Sequence, residues 1–175
     1  MKNEIFYLFV NHIICNIPIW AIRKWLYKIC GMKIGKGSRV LLKTRVYCPQ
    51  KITIGDYTIV NEYCYLDGRG GLNIGSNVTI AVYTKVITAG HIIDDNRFGY
   101  TDAPVSIGDN VAVFADSIIF GGANIARGAV FYGRSVVPRG NYVEKGIYAG
   151  NPAKLLRIRN SDADYIQNEW APKFR

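Results

Sequence analysis

One histidine in this sequence has neighbours that suit acid–base chemistry. His91 lies in a segment rich in glycine and aspartate, and Asp94 and Asp95 follow it closely. A neutral imidazole titrates near pH 7, so it can accept the proton of a substrate hydroxyl group. Either aspartate could orient the ring by accepting a hydrogen bond from it, and a backbone carbonyl could do the same. We therefore predict His91 as a catalytic base and assign Asp94 to the same site.

A second candidate site is basic and lies near the C-terminus. Residues 138–159 hold one acid, Glu144, and five basic side chains, namely Arg139, Lys145, Lys154, Arg157 and Arg159. Guanidinium and ammonium groups bind phosphate well, so this cluster favours a ligand that carries phosphate. A solvated basic end without a ligand is the alternative.

The overall charge does not indicate nucleic-acid binding. The 175 residues carry a formal net charge of +9, and residues 1–51 account for all of it with ten basic residues and one acid. Residues 52–175 are neutral, with twelve basic and twelve acidic groups. Tyrosines are abundant but scattered, whereas nucleic-acid binding requires basic and aromatic residues on one face. We predict no nucleic-acid partner.

Residues 1–30 are predicted to form a helical segment in front of the main body. The apolar stretch 5–22 is interrupted by two asparagines, His12 and Pro18, which argues against a membrane-spanning helix. No small-residue cleavage site follows it, so a secretory signal is not expected. Two placements stay open: a helix packed on the body or on another subunit, and a helix on an anionic membrane surface with the basic residues of 23–28 facing lipid. In either placement His12 is packed or interfacial.

The cysteines predict a reducing compartment. Cys15, Cys30, Cys48 and Cys64 include no CxxC pair, so a zinc site is not expected. The chain is long enough to bury a core without disulfides. We predict free thiols and a cytoplasmic location.

From residue 34 onward one short motif recurs. An aliphatic residue is followed by glycine, two turn residues and a small or branched residue. Copies begin at Ile34, Ile54, Ile74 and Ile107, and a degenerate copy begins at Ile125. Within the copies an apolar residue recurs every six positions, at 34, 40, 46, 54, 60, 66, 74, 80, 86, 107, 113, 119, 125, 131, 137 and 143. All sixteen positions are apolar, although apolar residues make up 49% of the chain.

A period of six predicts a short strand followed by a tight turn. Three such units close a triangular coil of about 18 residues, in which the first and the small fifth residue of each unit point inward. Glycines would serve the turns where a positive φ is needed. Stacked coils bury one continuous core, so the sequence predicts an all-β solenoid.

One insertion interrupts the repeat. The step from Ile74 to Ile107 is 33 residues, about 13–15 more than one coil, and the excess falls on residues 88–105. Loops that interrupt a rigid solenoid commonly carry function, and His91 lies near the start of this one.

The pattern resembles the hexapeptide-repeat acyltransferases over roughly residues 30–158. The stretch LYKICGMKIGKGSRV resembles their entry into the first coil, and AGNPAKLLR resembles their exit from the last. The resemblance implies a left-handed parallel β-helix at 31–158 with a loop at about 91–105. The helical segment 1–30 precedes it, and a tail at 159–175 with a short C-terminal helix follows.

Sugar O-acetyltransferases of this family carry a histidine at the same break. This implies that His91 deprotonates an acceptor hydroxyl, which then attacks the thioester of acetyl-CoA. The stretch IVNEYCYLDGRGGLNIG implies that Asn61 and Asp67 bind substrate, although turn chemistry also explains both residues. The positions that match CoA-binding residues are Ala115, Gly133, Val137 or Pro138, Arg139, Lys154 and Arg157. Arg134 stands where the family usually has glycine, and it could itself contact a phosphate.

The family is generally trimeric, with its active site between subunits. The resemblance therefore implies a homotrimer that uses acetyl-CoA as cosubstrate, needs no metal and acetylates a sugar or glycan precursor. Peripheral membrane contact through residues 1–30 stays open.

Three other classes fit the sequence less well. A carbonic-anhydrase-like β-helix needs three histidine ligands, and this chain has two histidines. A non-catalytic scaffold would keep the repeat without the loop that bears His91. Antibiotic acetyltransferases are the main rival, and they usually carry longer insertions, so we favour a sugar acceptor.

Overall fold

The N-terminal segment is helical and irregular. The computed structural model describes residues 2–167, with side chains from residue 4 onward. Helix α1 (Lys2–Leu8) continues into a π-helical turn (Phe9–Ile13) and a 3-10 turn (Ile14–Asn16), and α2 (Trp20–Ile29) follows. None of the helices within 2–167 has the length and apolar composition needed to cross a bilayer.

Short strands account for most of the remaining chain. Residues 33–158 contain twenty of them, and a 3-10 turn (Pro49–Lys51) lies between the third and the fourth. In chain order they are β1 (Lys33–Ile34), β2 (Arg39–Val40), β3 (Arg45–Tyr47), β4 (Ile52–Ile54), β5 (Ile59–Val60), β6 (Tyr65–Asp67), β7 (Leu72–Ile74), β8 (Thr79–Ile80), β9 (Lys85–Ile87), β10 (Ala89–His91), β11 (Tyr100–Asp102), β12 (Val105–Ile107), β13 (Ala112–Val113), β14 (Ile118–Phe120), β15 (Ala123–Ile125), β16 (Val130–Phe131), β17 (Val136–Val137), β18 (Gly140–Tyr142), β19 (Gly146–Ala149) and β20 (Lys154–Ile158).

The strands form the three faces of a parallel β-solenoid, as the six-residue period predicts. Sheet A has the order β1-β4-β7-β12-β15-β18, sheet B the order β2-β5-β8-β13-β16-β19-β20, and sheet C the order β3-β6-β9-β14-β17. The motif isoleucines align in register from coil to coil: Ile34 pairs with Ile54, Ile54 with Ile74, Ile74 with Ile107, and Ile107 with Ile125. The predicted solenoid is therefore confirmed, and the 33-residue step is one coil with an insertion.

The inward positions fill the core as predicted, with one exception in the last coil. Fifteen of the sixteen predicted positions are buried, but Val143 is exposed. Tyr142 pairs with Ile125 and takes the inward place, because the corner before it is one residue shorter. Tyr142 packs against Phe131 and Tyr148, with ring centroids 5.3 and 5.2 Å away, so aromatic rings close this end of the core.

The glycine of each Ile-Gly pair serves the close stacking of coils and has no positive φ. A Cβ atom on Gly55 would lie 2.7 Å from the carbonyl carbon of Gly75 in the next coil. The positive φ of 55–57° falls two residues later, at Tyr57, Asn77 and Asn110. Other glycines of the motif copies, Gly37 and Gly128, do take the positive φ expected at turns. The contact between coils at the Ile-Gly pair is not visible in local sequence.

The N-terminal segment packs across the open end of the first coil. Asn11 accepts a hydrogen bond from Val46 N (2.7 Å) and donates one to Val46 O (2.8 Å), as a paired strand would. The fully buried Arg23 donates to Val40 O at 3.2 and 3.0 Å, and Lys24 donates to the carbonyl that follows β1 at 2.7 Å. Polar side chains thus cover the edge of each sheet, which agrees with the packed placement of this segment.

Free thiols are found at all four cysteines. Burial raises the pKa of Cys15 and Cys30, and it raises the pKa of Cys64 to about 12. These three thiols are therefore protonated near neutral pH and unreactive.

The C-terminal segment is extended over residues 154–167, where the expected short helix is not seen. Strand β20 pairs antiparallel with β19 and covers the far edge of sheet B. The chain then runs back along the coils, held by Lys145–Asp162 (2.8 Å) and by the hydrogen bond from Asn110 to Tyr165 O (3.0 Å). No helix forms within 154–167, because this backbone is bound to the solenoid instead; residues 168–175 lie outside the described part.

Candidate active site

The insertion forms a hairpin at one corner of the solenoid. We call the turns that join sheet C to sheet A corner CA (residues 48–51, 68–71, 88–104, 121–122 and 138–139). Strands β10 and β11 pair antiparallel there, and His91 lies opposite Tyr100. His91 is exposed at the end of β10, so a substrate can reach its ring.

A backbone carbonyl orients the histidine. His91 Nδ1 lies 2.8 Å from the carbonyl oxygen of Phe98, and the two rings stack with centroids 4.5 Å apart. A carbonyl can accept but not donate, so Nδ1 carries the proton of the neutral ring. Nε2 then holds the free lone pair, which is the arrangement that a general base needs.

Asp95 shapes the loop, and neither aspartate holds the His91 ring. Asp95 accepts hydrogen bonds from Arg97 N (3.0 Å) and Gly99 N (2.9 Å), which fixes the turn that places the Phe98 carbonyl. Within residues 4–167, no hydrogen bond joins the Asp94 carboxylate to His91. The sequence left an aspartate or a backbone carbonyl open as the group that orients His91. In the structure it is a backbone carbonyl, because the hairpin brings Phe98 O close to Nδ1.

Asp67 is buried beside the loop and fully engaged. Arg69 binds its carboxylate through Nε (3.0 Å) and Nη2 (2.9 Å), and Thr88 N donates to it at 3.0 Å. Burial alone would raise the pKa of Asp67, but the hydrogen bonds from Arg69 and Thr88 outweigh it and lower the pKa below the ordinary value. Through these contacts Asp67 links its own coil to the next one.

Replacement of Asp67 by asparagine is expected to lower the free energy of unfolding at pH 7 by about 1–3 kcal/mol. A carboxylate whose pKa is lowered by folding stabilises the protein above its ordinary pKa, and this contribution disappears as the pH falls through the folded pKa. The difference from wild type should therefore narrow below about pH 4 in urea titrations. Asp94→Asn, in the exposed loop, is the control and should stay within about 0.5 kcal/mol. A difference that is the same at pH 3 and pH 7 would contradict the ionised pair.

A shallow cleft lies between the hairpin and the following coils. Its volume is about 160 Å³, and Gly90, Asp102, Phe120 and Arg139 are among its lining residues. Asp102 accepts a hydrogen bond from Tyr100 Oη at 3.0 Å. The cleft offers one basic and one acidic side chain to a ligand bound near His91.

Other predicted residues lie at a different corner. We call the turns that join sheet B to sheet C corner BC (residues 41–44, 61–64, 81–84, 114–117 and 132–135). Arg134 N donates to Ala115 O (2.8 Å), and a Cβ on Gly133 would lie 3.2 Å from the same oxygen, so these three residues stack. Asn61 lies at the same corner, and its side chain donates to Ile80 O in the next coil at 3.0 Å.

Within one chain the predicted site residues are thus divided into groups. Asp67, His91, Asp94 and Arg139 lie at or beside corner CA. Asn61, Ala115, Gly133 and Arg134 lie at corner BC. Lys154 and Arg157 are exposed on β20. One face of the triangle separates the two corners.

Phe98 and Arg69 were not predicted from the sequence. Phe98 acts through its backbone carbonyl, which accepts the hydrogen bond from His91, and residue type and spacing do not reveal such a contact. Arg69 follows Asp67 by two residues, so the pair could have been suggested by its opposite charges. Among residues 4–167, no group of three or more His, Cys, Asp or Glu side chains could hold a metal ion.

Comparison with known proteins links these features to acetyl transfer. No family model matches the chain. A candidate colanic acid biosynthesis acetyltransferase of Escherichia coli is 28% identical over 141 residues, which cover 81% of this chain and 77% of that protein. A candidate acetyltransferase of Saccharomyces cerevisiae is 37% identical over 122 residues, 67% of this chain and 62% of the relative.

A solved structure with a similar fold is also an acetyltransferase. The hexapeptide-repeat acetyltransferase of Vibrio cholerae, in complex with acetyl coenzyme A, has a TM-score of 0.75 and 26% sequence identity. The match covers 90% of this chain and 85% of the Vibrio chain. The sequence relatives are named as acetyltransferases, and the solenoid carries its insertion where the repeat predicts it. The homologues and the solved structural neighbours of this chain are hexapeptide-repeat acetyltransferases, and the chain is an acyltransferase.

Proposed function

We propose that this protein transfers an acetyl group from acetyl-CoA to a hydroxyl group of a sugar or glycan precursor, with His91 as the general base. The observation that carries this proposal is the hydrogen bond between His91 Nδ1 and Phe98 O (2.8 Å), which leaves Nε2 as an exposed proton acceptor. The relative in Vibrio cholerae binds acetyl-CoA, and the relative in Escherichia coli is named for colanic acid biosynthesis, which supports a polysaccharide precursor as acceptor.

The reaction needs one proton acceptor and no redox chemistry. Nε2 takes the proton of the acceptor hydroxyl while the oxygen attacks the thioester carbonyl carbon. The tetrahedral intermediate then collapses, the carbon–sulfur bond breaks, and the CoA sulfur leaves with the proton from the imidazolium. The Phe98 carbonyl stabilises the imidazolium because it accepts the hydrogen bond from Nδ1–H throughout.

The separation of the two corners supports a trimer with shared active sites. His91 and Arg139 lie at corner CA, while Gly133 and Arg134 lie at corner BC of the same chain. A threefold arrangement can place corner CA of one subunit against corner BC of the next, which would complete a CoA groove from both sides. Lys154 and Arg157 are exposed for contact with CoA phosphates, whereas Lys145 is paired with Asp162.

Binding of acetyl-CoA and its use on sugars test the proposal directly. Calorimetry should give a dissociation constant between about 1 μM and 1 mM at low salt. Thiol release should then depend on a sugar or a nucleotide-linked sugar from an acceptor panel that also contains antibiotics. Absence of binding would favour a non-catalytic scaffold, and turnover with antibiotics alone would make the sugar assignment wrong.

Mixed trimers are expected to test the shared site. His91→Ala damages corner CA, and Gly133→Trp fills the exposed surface at corner BC, so each pure variant should lose most activity. When both are co-expressed, about a quarter of the sites combine two intact corners, and about a quarter of wild-type activity should return. If one chain holds the whole site, the mixture will recover nothing.

A further inference from the structure

The outer side of the N-terminal segment is apolar and exposed. Nine large apolar side chains make up this surface, which we call the outer face: Ile5, Phe6, Leu8, Phe9, Ile13, Ile19, Ile22, Trp25 and Ile29. An exposed apolar surface of this extent is uncommon on a soluble protein and indicates an interaction site.

Helical spacing in α2 separates an exposed apolar side from a buried side. In α2, Ile22, Trp25 and Ile29 lie on one stripe, and Trp25 and Ile29 are 61% and 63% exposed. The opposite side buries Arg23 and Tyr27 against the first coil. Because that inner side already holds the segment in place, the solenoid does not need the outer stripe for its own packing.

Basic side chains surround this end of the solenoid. The first coil, residues 30–51, contains six basic residues and no acid, and Lys33, Lys36, Lys43, Arg45 and Lys51 are exposed. Lys28 is exposed on α2 itself, between the apolar residues Trp25 and Ile29. The outer face is therefore an apolar centre with a positive rim. A partner that is apolar in its interior and negatively charged at its border would be complementary to it.

We propose that the outer face docks on the surface of an anionic lipid bilayer. The apolar stripes would enter the boundary between headgroups and acyl chains, and the rim lysines would lie at the headgroup phosphates. A second copy of this chain fits less well, because two positive rims would face each other and Glu4 is the one acid in residues 1–51. This inference goes beyond acetyl transfer and does not depend on it.

Flotation with lipid vesicles tests the proposal on the full chain. We expect retention on vesicles of phosphatidylglycerol and phosphatidylcholine, and several-fold weaker retention on phosphatidylcholine alone. The double substitution Trp25→Ser/Ile29→Ser should weaken binding at least tenfold, since it removes two apolar groups from the contact. Lys28→Gln and Lys33→Gln should each weaken it roughly fivefold, and added salt should do the same.

A matched control lies at the other end of the solenoid. Leu155→Ser/Leu156→Ser removes two exposed apolar side chains from β20 and should bind vesicles like wild type. Circular dichroism should show that both double variants keep the fold, because the replaced side chains are exposed. Equal retention of the Trp25/Ile29 variant, or equal retention on neutral vesicles, would overturn the proposal. Larger oligomers that this variant dissolves, without vesicle binding by wild type, would assign the outer face to self-association instead.

Discussion

Turnover of acetyl transfer is expected to fall by about 10²–10⁴ when His91 is replaced by alanine. The substitution removes Nε2, the atom that would accept the hydroxyl proton, and leaves the attacking oxygen protonated. The fold should persist, because the His91 side chain is exposed and its hydrogen bond is made to the Phe98 carbonyl within the same loop. Thiol release from acetyl-CoA under saturating substrates measures the effect as a change in kcat.

Two comparisons separate loss of the base from damage to the loop. Ile93→Ala changes a side chain that is 86% exposed two residues further on, and it should retain near-wild-type turnover. In His91→Ala the KM for acetyl-CoA should change little, because the base acts in the chemical step. Near-wild-type turnover of His91→Ala would contradict the assignment and place the proton acceptor elsewhere.

The orientation of His91 shows what the sequence could not supply. The residue type and its place in the single long insertion predicted a base. The partner of Nδ1 is a main-chain carbonyl, however, and every residue has one. Only the hairpin pairing of His91 with Tyr100, together with the turn held by Asp95, brings the Phe98 carbonyl within 2.8 Å.

The six-residue period also predicts at which corner of the solenoid each of the other site residues lies. Residues about 18 apart stack at one corner, as Ala115 and Gly133 do, while residues six apart fall on successive corners. Asn61 and Asp67 are six apart, so the period itself places them at different corners. The same arithmetic failed for Val143, because the shorter corner before Tyr142 shifts the register by one residue.

A side chain placed between stacked coils is expected to reduce stability strongly. Gly55→Ala is expected to lower the free energy of unfolding by about 1–3 kcal/mol. The new Cβ would lie 2.7 Å from the carbonyl carbon of Gly75 and 2.8 Å from its oxygen, which is closer than van der Waals contact allows. The backbone cannot withdraw freely, because Gly55 N donates to Ile74 O at 2.8 Å and β4 pairs with β7 immediately before that bond.

Gly90→Ala provides the matched control for this substitution. A Cβ on Gly90 meets nothing within 4 Å, so its native contacts should not suffer, while the unfolded chain loses the same conformational freedom as in Gly55→Ala. The difference between the two variants therefore measures the clash alone. Urea unfolding at one fixed protein concentration should give Gly90→Ala a stability equal to wild type or slightly above it. If Gly55→Ala matches Gly90→Ala, the coils have room for a side chain at the Ile-Gly position. Contact between successive coils would then not be the reason that the motif requires glycine there.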